Sequence, residues 1–130
     1  MADESKKIKI LLVDDEKDIL IETKEIFEKR GFLVFTAAES DSALSIFQKE
    51  RPRICLLDVH MPQSRLDGIG ILEEIRKIDK TSYCIMLSRV DDEKRIDEAK
   101  RLGANRYVLK PLDFTELLQL VNEAAKEAAR

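Results

Sequence analysis

Five short aliphatic runs, separated by segments with helical spacing, constrain this chain more than any single residue does. IKILLVD (8–14), FLVFTA (32–37), RICLLD (53–58), YCIMLS (83–88) and RYVLK (106–110) are each bounded by charged or turn residues, as strands are. Between the first two, Ile19, Leu20, Thr23, Ile26 and Phe27 share one helical face, and Gly31 closes that segment. Further helices are expected near 40–50, 67–79, 91–102 and 113–129. Ser40, Asp67 and Asp113 stand where N-caps belong; Asp113 with Glu116 fits a carboxylate capping box, and Leu66 with Ile71 a hydrophobic staple. The fourth helix ends at Gly103 and has only Ile96, Ala99 and Leu102 as an apolar stripe, so it is expected to pack lightly and to move.

Strands this uniformly apolar belong to a parallel sheet covered on both faces, joined by right-handed crossovers. The expected fold is therefore α/β, a three-layer doubly wound sheet of five strands with five helices. A length of 130 residues with 44% hydrophobic content is enough for one core, placed here over residues 8–130, with 1–7 as a flexible N-terminal segment.

Charge and hydropathy remove several functions. With 23 Lys and Arg against 26 Asp and Glu, the net charge of -3 offers no broad basic field for nucleic acid or anionic lipid. No run approaches the ~20 apolar residues that span a bilayer, and MADESKKIKI has charges where a signal peptide is apolar, so a cytoplasmic location is expected. Cys55 and Cys84 lie inside apolar runs and are expected to be buried free thiols rather than a disulfide or zinc site.

In open parallel sheets the ligand lies beyond the carboxyl ends of the strands. The first strand ends in Asp14, Asp15 and Glu16, the third in Asp58, the fourth in Ser88, and the fifth in Lys110 before Pro111. Two carboxylates about 5 Å apart repel by roughly 3 kcal/mol at an effective dielectric of about 20, so converging acids require a cation. A few hard oxygen ligands suit magnesium better than calcium, which asks for more of them. Lys110 supplies a positive charge and Ser88 a hydroxyl for phosphoryl oxygens, so the group is suited to placing a phosphoryl group on a carboxylate, with Asp58 the central candidate.

The joint order of LLVDDE, LLDVHMP, DG, IMLS, GANRYVLKP and the closing helix resembles the receiver domain of two-component response regulators, and the resemblance covers essentially residues 8–129. It implies a flavodoxin-like sheet of order 2-1-3-4-5. It further implies that Asp58 is the phosphoacceptor, that Asp15 and Asp58 bind Mg2+ (or Mn2+) directly with Asp14 acting through water, and that the His60 backbone carbonyl completes the protein ligands. Ser88 and Lys110 would contact the phosphoryl oxygens, Ser88 and Tyr107 would act as the switch pair, and the Lys110–Pro111 bond would be cis. The implied phosphoryl donor is a phosphohistidine of a sensor histidine kinase or histidine phosphotransfer protein. Implied too are a downstream protein target or output domain, switching of the surface formed by the fourth helix, fifth strand and fifth helix, and a homodimer through that surface. Such a protein assists its own phosphorylation and dephosphorylation without turning over an external substrate, and it neither binds nucleic acid directly nor inserts into a membrane.

Plainer readings stand beside these roles: Asp14 and Asp15 as helix caps, Asp58 as a turn residue, Lys110 as a surface lysine, Tyr107 as a packing aromatic and His60 as a solvated loop histidine. Two departures from the family pattern bear on function. Arg89 stands where a small residue is usual, and it is expected to modulate phosphoryl gain or loss by contacting the phosphoryl group, covering it, or reaching Asp91 and Asp92. QSRL separates Pro62 from Asp67 where relatives usually have two residues, so Gln63, Ser64 and Arg65 are expected to form an enlarged rim beside Asp58. Two rival functions are a receiver-like interaction module that is never phosphorylated and a magnesium phosphohydrolase of the haloacid dehalogenase type. The latter places a D-x-D motif after its first strand, where this chain has contiguous Asp14 and Asp15. A flavin carrier is disfavoured because no Ser/Thr/Gly-rich phosphate loop follows that strand.

Overall fold

The structure, a computed structural model, describes residues 6–89 and 91–128. Most of the N-terminal segment expected to be flexible, residues 1–5, lies outside the described residues. Ten elements alternate along the chain: β1 (Lys9–Val13), α1 (Lys17–Glu28), β2 (Leu33–Ala37), α2 (Ser40–Glu50), β3 (Ile54–Asp58), α3 (Gly68–Ile78), β4 (Tyr83–Ser88), α4 (Glu93–Arg101), β5 (Arg106–Leu109) and α5 (Phe114–Ala128). The five strands form one sheet in the order β2-β1-β3-β4-β5, parallel throughout. The α/β architecture and strand order are those the sequence and the resemblance implied.

Alternate residues of a strand face opposite sides of its sheet, and here both sides are covered. Leu11, Val13, Cys55, Leu57, Cys84 and Met86 face α2 and α3, with Ala99 of α4 in the same cluster. Ile10, Leu12, Ile54, Leu56, Ile85 and Leu87 face α1 and α5. All five residues of β3 are buried, which is why its sequence is apolar up to its last position. Cys55 and Cys84 are opposite each other in the β3–β4 ladder, both free and buried.

The capping residues differ from expectation at one helix. Ser40 is the first residue of α2, not its cap. Glu39 caps it instead, its carboxylate accepting from the Asp41 N–H at 2.9 Å and the Ser42 N–H at 2.7 Å. The Ser40 hydroxyl is engaged elsewhere, by the Leu66 N–H at 3.1 Å. Asp67 caps α3 through the Gly70 N–H at 2.8 Å, and Asp113 accepts from the Thr115 N–H at 2.9 Å at the start of α5. Gly31, at φ 91°, turns the chain out of α1, and the Phe32 N–H returns to the Phe27 carbonyl at 3.2 Å. The α4 helix is shorter than expected, starting after the cap at Asp92, and Ala99 is its buried residue, in keeping with light packing.

The strands are slightly shorter than their apolar runs. Asp14 and Lys110, expected within the first and fifth strands, each lie one residue beyond the ladder. Their N–H groups still bond across the sheet, Asp14 to the Ala37 carbonyl at 3.1 Å and Lys110 to the Ser88 carbonyl at 2.7 Å. Both side chains are thereby delivered to the carboxyl edge while their backbones stay fixed by the sheet.

Candidate functional site

Adjacent strands of a parallel sheet end at one edge, so residues distant in sequence meet there. Carboxylate oxygens of Asp14, Asp15 and Asp58 all lie within 4.8 Å of one another. Asp14 and Asp58 are buried, whereas Asp15 is exposed. Lys110, its side chain only 5% exposed, reaches Asp14 Oδ2 at 2.7 Å and Asp58 Oδ1 at 3.5 Å. The Lys110–Pro111 bond is cis. The remaining oxygen of Asp14, Oδ1, accepts the Glu16 N–H at 2.9 Å, so this carboxylate is held from both sides.

One lysine does not offset three acids. Burial, and next the charge of Asp14, push the Asp58 carboxyl from 3.8 up to about 7, against the opposing pull of Lys110. Near neutral pH the cluster therefore holds a proton or needs another positive charge. Its all-oxygen donor set, open on the Asp15 side, fits a small hard cation that keeps some of its waters. Asp15, Asp58 and Asp14 are the side chains placed to hold one.

The other expected site residues fall around this centre. Ser88 ends β4 and is buried, next to Leu87, which faces Asp58 in the ladder. Tyr107 sits in β5 opposite Met86, packed against the cluster on the α2–α3 side. Its hydroxyl is buried and finds no hydrogen-bond partner among the described residues. A cavity of about 450 Å3 opens over the acids, lined by Asp15, Glu16, Asp58, His60, Pro62 and Arg89. His60 is exposed at its rim.

Three features escaped the sequence reading. Arg89 pairs with Glu16, an acid to which no partner had been assigned, and Glu16 Oε1 also lies 3.9 Å from Lys110. Spacing gave no sign of this pair, because it joins two loops across the edge. Gly68 packs so closely that a Cβ there would lie 2.2 Å from the Asp58 carbonyl oxygen, so the glycine of the DG pair is a steric requirement of the loop between β3 and α3. The segment 63–65 is also not a free rim. Ser64 accepts the Ser40 N–H at 2.8 Å and Arg65 pairs with Asp41 at 2.9 Å, so the longer loop is fastened to α2.

A sheet of order 2-1-3-4-5 with a lysine and three acids at its carboxyl edge defines a class of signalling domain, and the comparisons with known proteins agree. The family model of the response regulator receiver domain matches residues 10–122, and the chain belongs to that family. It is 39% identical over 115 residues to sporulation initiation phosphotransferase F of Bacillus subtilis (strain 168), covering 88% of this chain and 91% of that protein. The crystal structure of a CheY-like response regulator receiver domain protein from Methanospirillum hungatei JF-1 superposes with a TM-score of 0.88 at 27% identity, covering 95% of this chain and 98% of that one. A CheX–CheY–BeF3–Mg2+ complex from Borrelia burgdorferi contains a chain that superposes with a TM-score of 0.80 at 32% identity, covering 88% of this chain and 86% of that one. Some other curated relatives are longer: the chain spans 42% of the probable transcriptional regulator ycf27 of Guillardia theta.

Proposed function

We propose that this receiver domain is a phosphoacceptor, taking a phosphoryl group from a phosphohistidine onto Asp58 with the help of magnesium or manganese. The observation that carries this reading is the convergence of Asp14, Asp15, Asp58 and Lys110 at one edge of the sheet. A carboxylate oxygen of Asp58 attacks phosphorus and forms the O–P bond. The N–P bond to the donor imidazole breaks, its electron pair stays on nitrogen, and the imidazole takes a proton from solvent.

A bound divalent cation would neutralise charge on the transferring group and on the acids around it. Asp15 and Asp58 would ligate it directly, Asp14 through water, and His60 by its backbone carbonyl. Lys110, freed in part from Asp14, meets a phosphoryl oxygen, and the Ser88 hydroxyl donates to another. Drawing Ser88 inward changes the packing beside Tyr107, and the lightly held α4 together with β5 shifts between two arrangements. The protein assists its own phosphorylation and dephosphorylation and turns over no external substrate.

The donor is a sensor histidine kinase or histidine phosphotransfer protein. A groove of about 510 Å3 beside the site, lined by Ile19, Glu22, Pro111, Leu112 and Phe114, supports docking of such a partner between α1 and the segment after the cis proline. The output partner meets the α4–β5–α5 face, where Leu109 is 45% exposed, and the same face serves a homodimer. Among the described residues no helix is long and apolar enough to cross a membrane, and a cytoplasmic location fits a kinase partner there.

Incubation with Mg2+ and a small acyl phosphate, with and without Asp58→Asn, tests the reading by mass spectrometry. A single labile phosphoryl adduct that the substitution removes supports it. Steady turnover of phosphate esters would point to the hydrolase, and neither result to an unphosphorylated interaction module. Arg89 lines the Asp58 cavity while paired to Glu16, so Arg89→Ala is expected to change the rates of phosphoryl gain and loss; equal rates would remove its modulating role.

A further inference from the structure

We propose that Ser64 and its partner Ser40 are positioning residues for the phosphoacceptor loop, holding the His60 carbonyl where the metal needs it. The inference rests on the proposed role of that carbonyl as a metal ligand.

The loop between β3 and α3 is pinned at two places. At the base, the Gly68 N–H bonds to the Val59 carbonyl at 3.1 Å, and Gly68 packs directly on the Asp58 carbonyl. At the tip, Ser64 and Leu66 grip the first turn of α2. The Ser64 hydroxyl accepts the Ser40 N–H at 2.8 Å, and the Ser40 hydroxyl, fully buried, accepts the Leu66 N–H at 3.1 Å. The Ser64 N–H in turn bonds to the Met61 carbonyl at 3.0 Å. His60, Met61 and Pro62 are strung between these two pins.

The bonds are reciprocal, and each serves a need. The Ser40 N–H belongs to the first turn of a helix, where backbone donors have no intrahelical acceptor, and Ser64 supplies one. The buried Ser40 hydroxyl would be costly without its bond to Leu66. Two of the four residues of QSRL thus make the attachment, which gives the lengthened loop a purpose beyond that of a tolerated surface insertion. The neighbouring Arg65–Asp41 pair is 61% and 64% exposed, and such pairs contribute little. Hydroxyl geometry, not loop charge, does the positioning.

The test measures magnesium affinity by calorimetry on unphosphorylated wild type, Ser64→Ala, Ser64→Thr and Arg65→Ala, alongside phosphoryl loss after acyl phosphate treatment. Supporting groups around a metal ligand typically contribute ten-fold or more to affinity, so Ser64→Ala is expected to bind Mg2+ about ten-fold more weakly, with Ser64→Thr near wild type and Arg65→Ala unchanged. Ser64→Cys, similar in shape but a weak acceptor, replaces Ser64→Ala if that variant folds poorly, and is expected to weaken binding likewise. Magnesium binding within about two-fold of wild type in the alanine and cysteine variants, with only thermal stability lowered, overturns the inference, as does an equal loss in Arg65→Ala. Wild type that binds Mg2+ but forms no Asp58 adduct refutes the phosphoacceptor reading alone, and the Ser64 comparison still decides the positioning role. Wild type that binds no Mg2+ overturns both.

Discussion

Asp58 is the residue on which the molecule's chemistry and stability meet. Its carboxyl titrates near 7 in the folded protein and near 3.9 in an unfolded chain, so between those values the folded state binds more protons. By linkage, stability without metal is highest at or below about pH 4 as far as this group is concerned, falls as pH rises through about 7, and is level above that. Urea unfolding in chelator is expected to show this decline, and Asp58→Asn to abolish it while adding at most about 4 kcal/mol at pH 8. A destabilised Asp58→Asn protein would contradict the repulsion that the geometry implies. Tyr107 is a second case. An unpartnered buried hydroxyl costs about 1–3 kcal/mol, so Tyr107→Phe is expected to leave thermal stability equal or higher, and a clear loss would show that the hydroxyl is satisfied. Asp58 and Lys110 were legible in the sequence because strand ends in a parallel sheet share an edge. The Arg89–Glu16 pair was not, because two loops brought together only by the fold carry no common period.

At the scale of elements, periodicity placed every strand and helix, and the errors lie at their ends. Ser40 looked like a cap because serine is a good one, yet Glu39 reaches two N–H groups with one carboxylate and leaves Ser40 for the neighbouring loop. Such an exchange depends on what packs against the helix, which local sequence does not encode. The α4 helix was correctly read as lightly held from its thin apolar stripe. Polar contacts add to that stripe: Arg95 reaches the Asp67 carboxylate at 2.8 Å, the same group that caps α3 next to Gly68. Beyond its end, Arg76 of α3 donates to the Gly103 carbonyl at 2.7 Å. Arg95→Gln is expected to speed amide exchange in α4 several-fold while changing global stability by less than about 1 kcal/mol, since both side chains of the pair are 37% exposed. Unchanged exchange in α4 would mean that the helix is held by its apolar face after all.

The whole molecule consists of two apolar layers that fix the sheet and one polar edge that opposes them. The layers around β1 and β3 leave no freedom for Asp14 and Asp58 to separate, because Asp14 directly follows a strand buried from Ile10 onward and Asp58 is the last residue of one buried throughout. Relief comes from a retained proton or from a bound cation, and any ion that binds only the folded state stabilises it by mass action. A domain of this size is expected to unfold in one step, so the effect spreads to the whole chain rather than to the edge alone. At a magnesium concentration about 100 times the dissociation constant the gain is about 2.7 kcal/mol, rising by about 1.4 kcal/mol for each further decade. Magnesium should also flatten or reverse the decline with pH, because the ion competes with the proton for Asp58. Chemical denaturation across a magnesium series, in wild type, Asp15→Asn and Asp58→Asn, measures this directly. Wild type is expected to follow the logarithmic rise and both variants to lose most of it; equal slopes in all three would show that the cation binds elsewhere and that the acidic edge is stabilised by Lys110 and a retained proton.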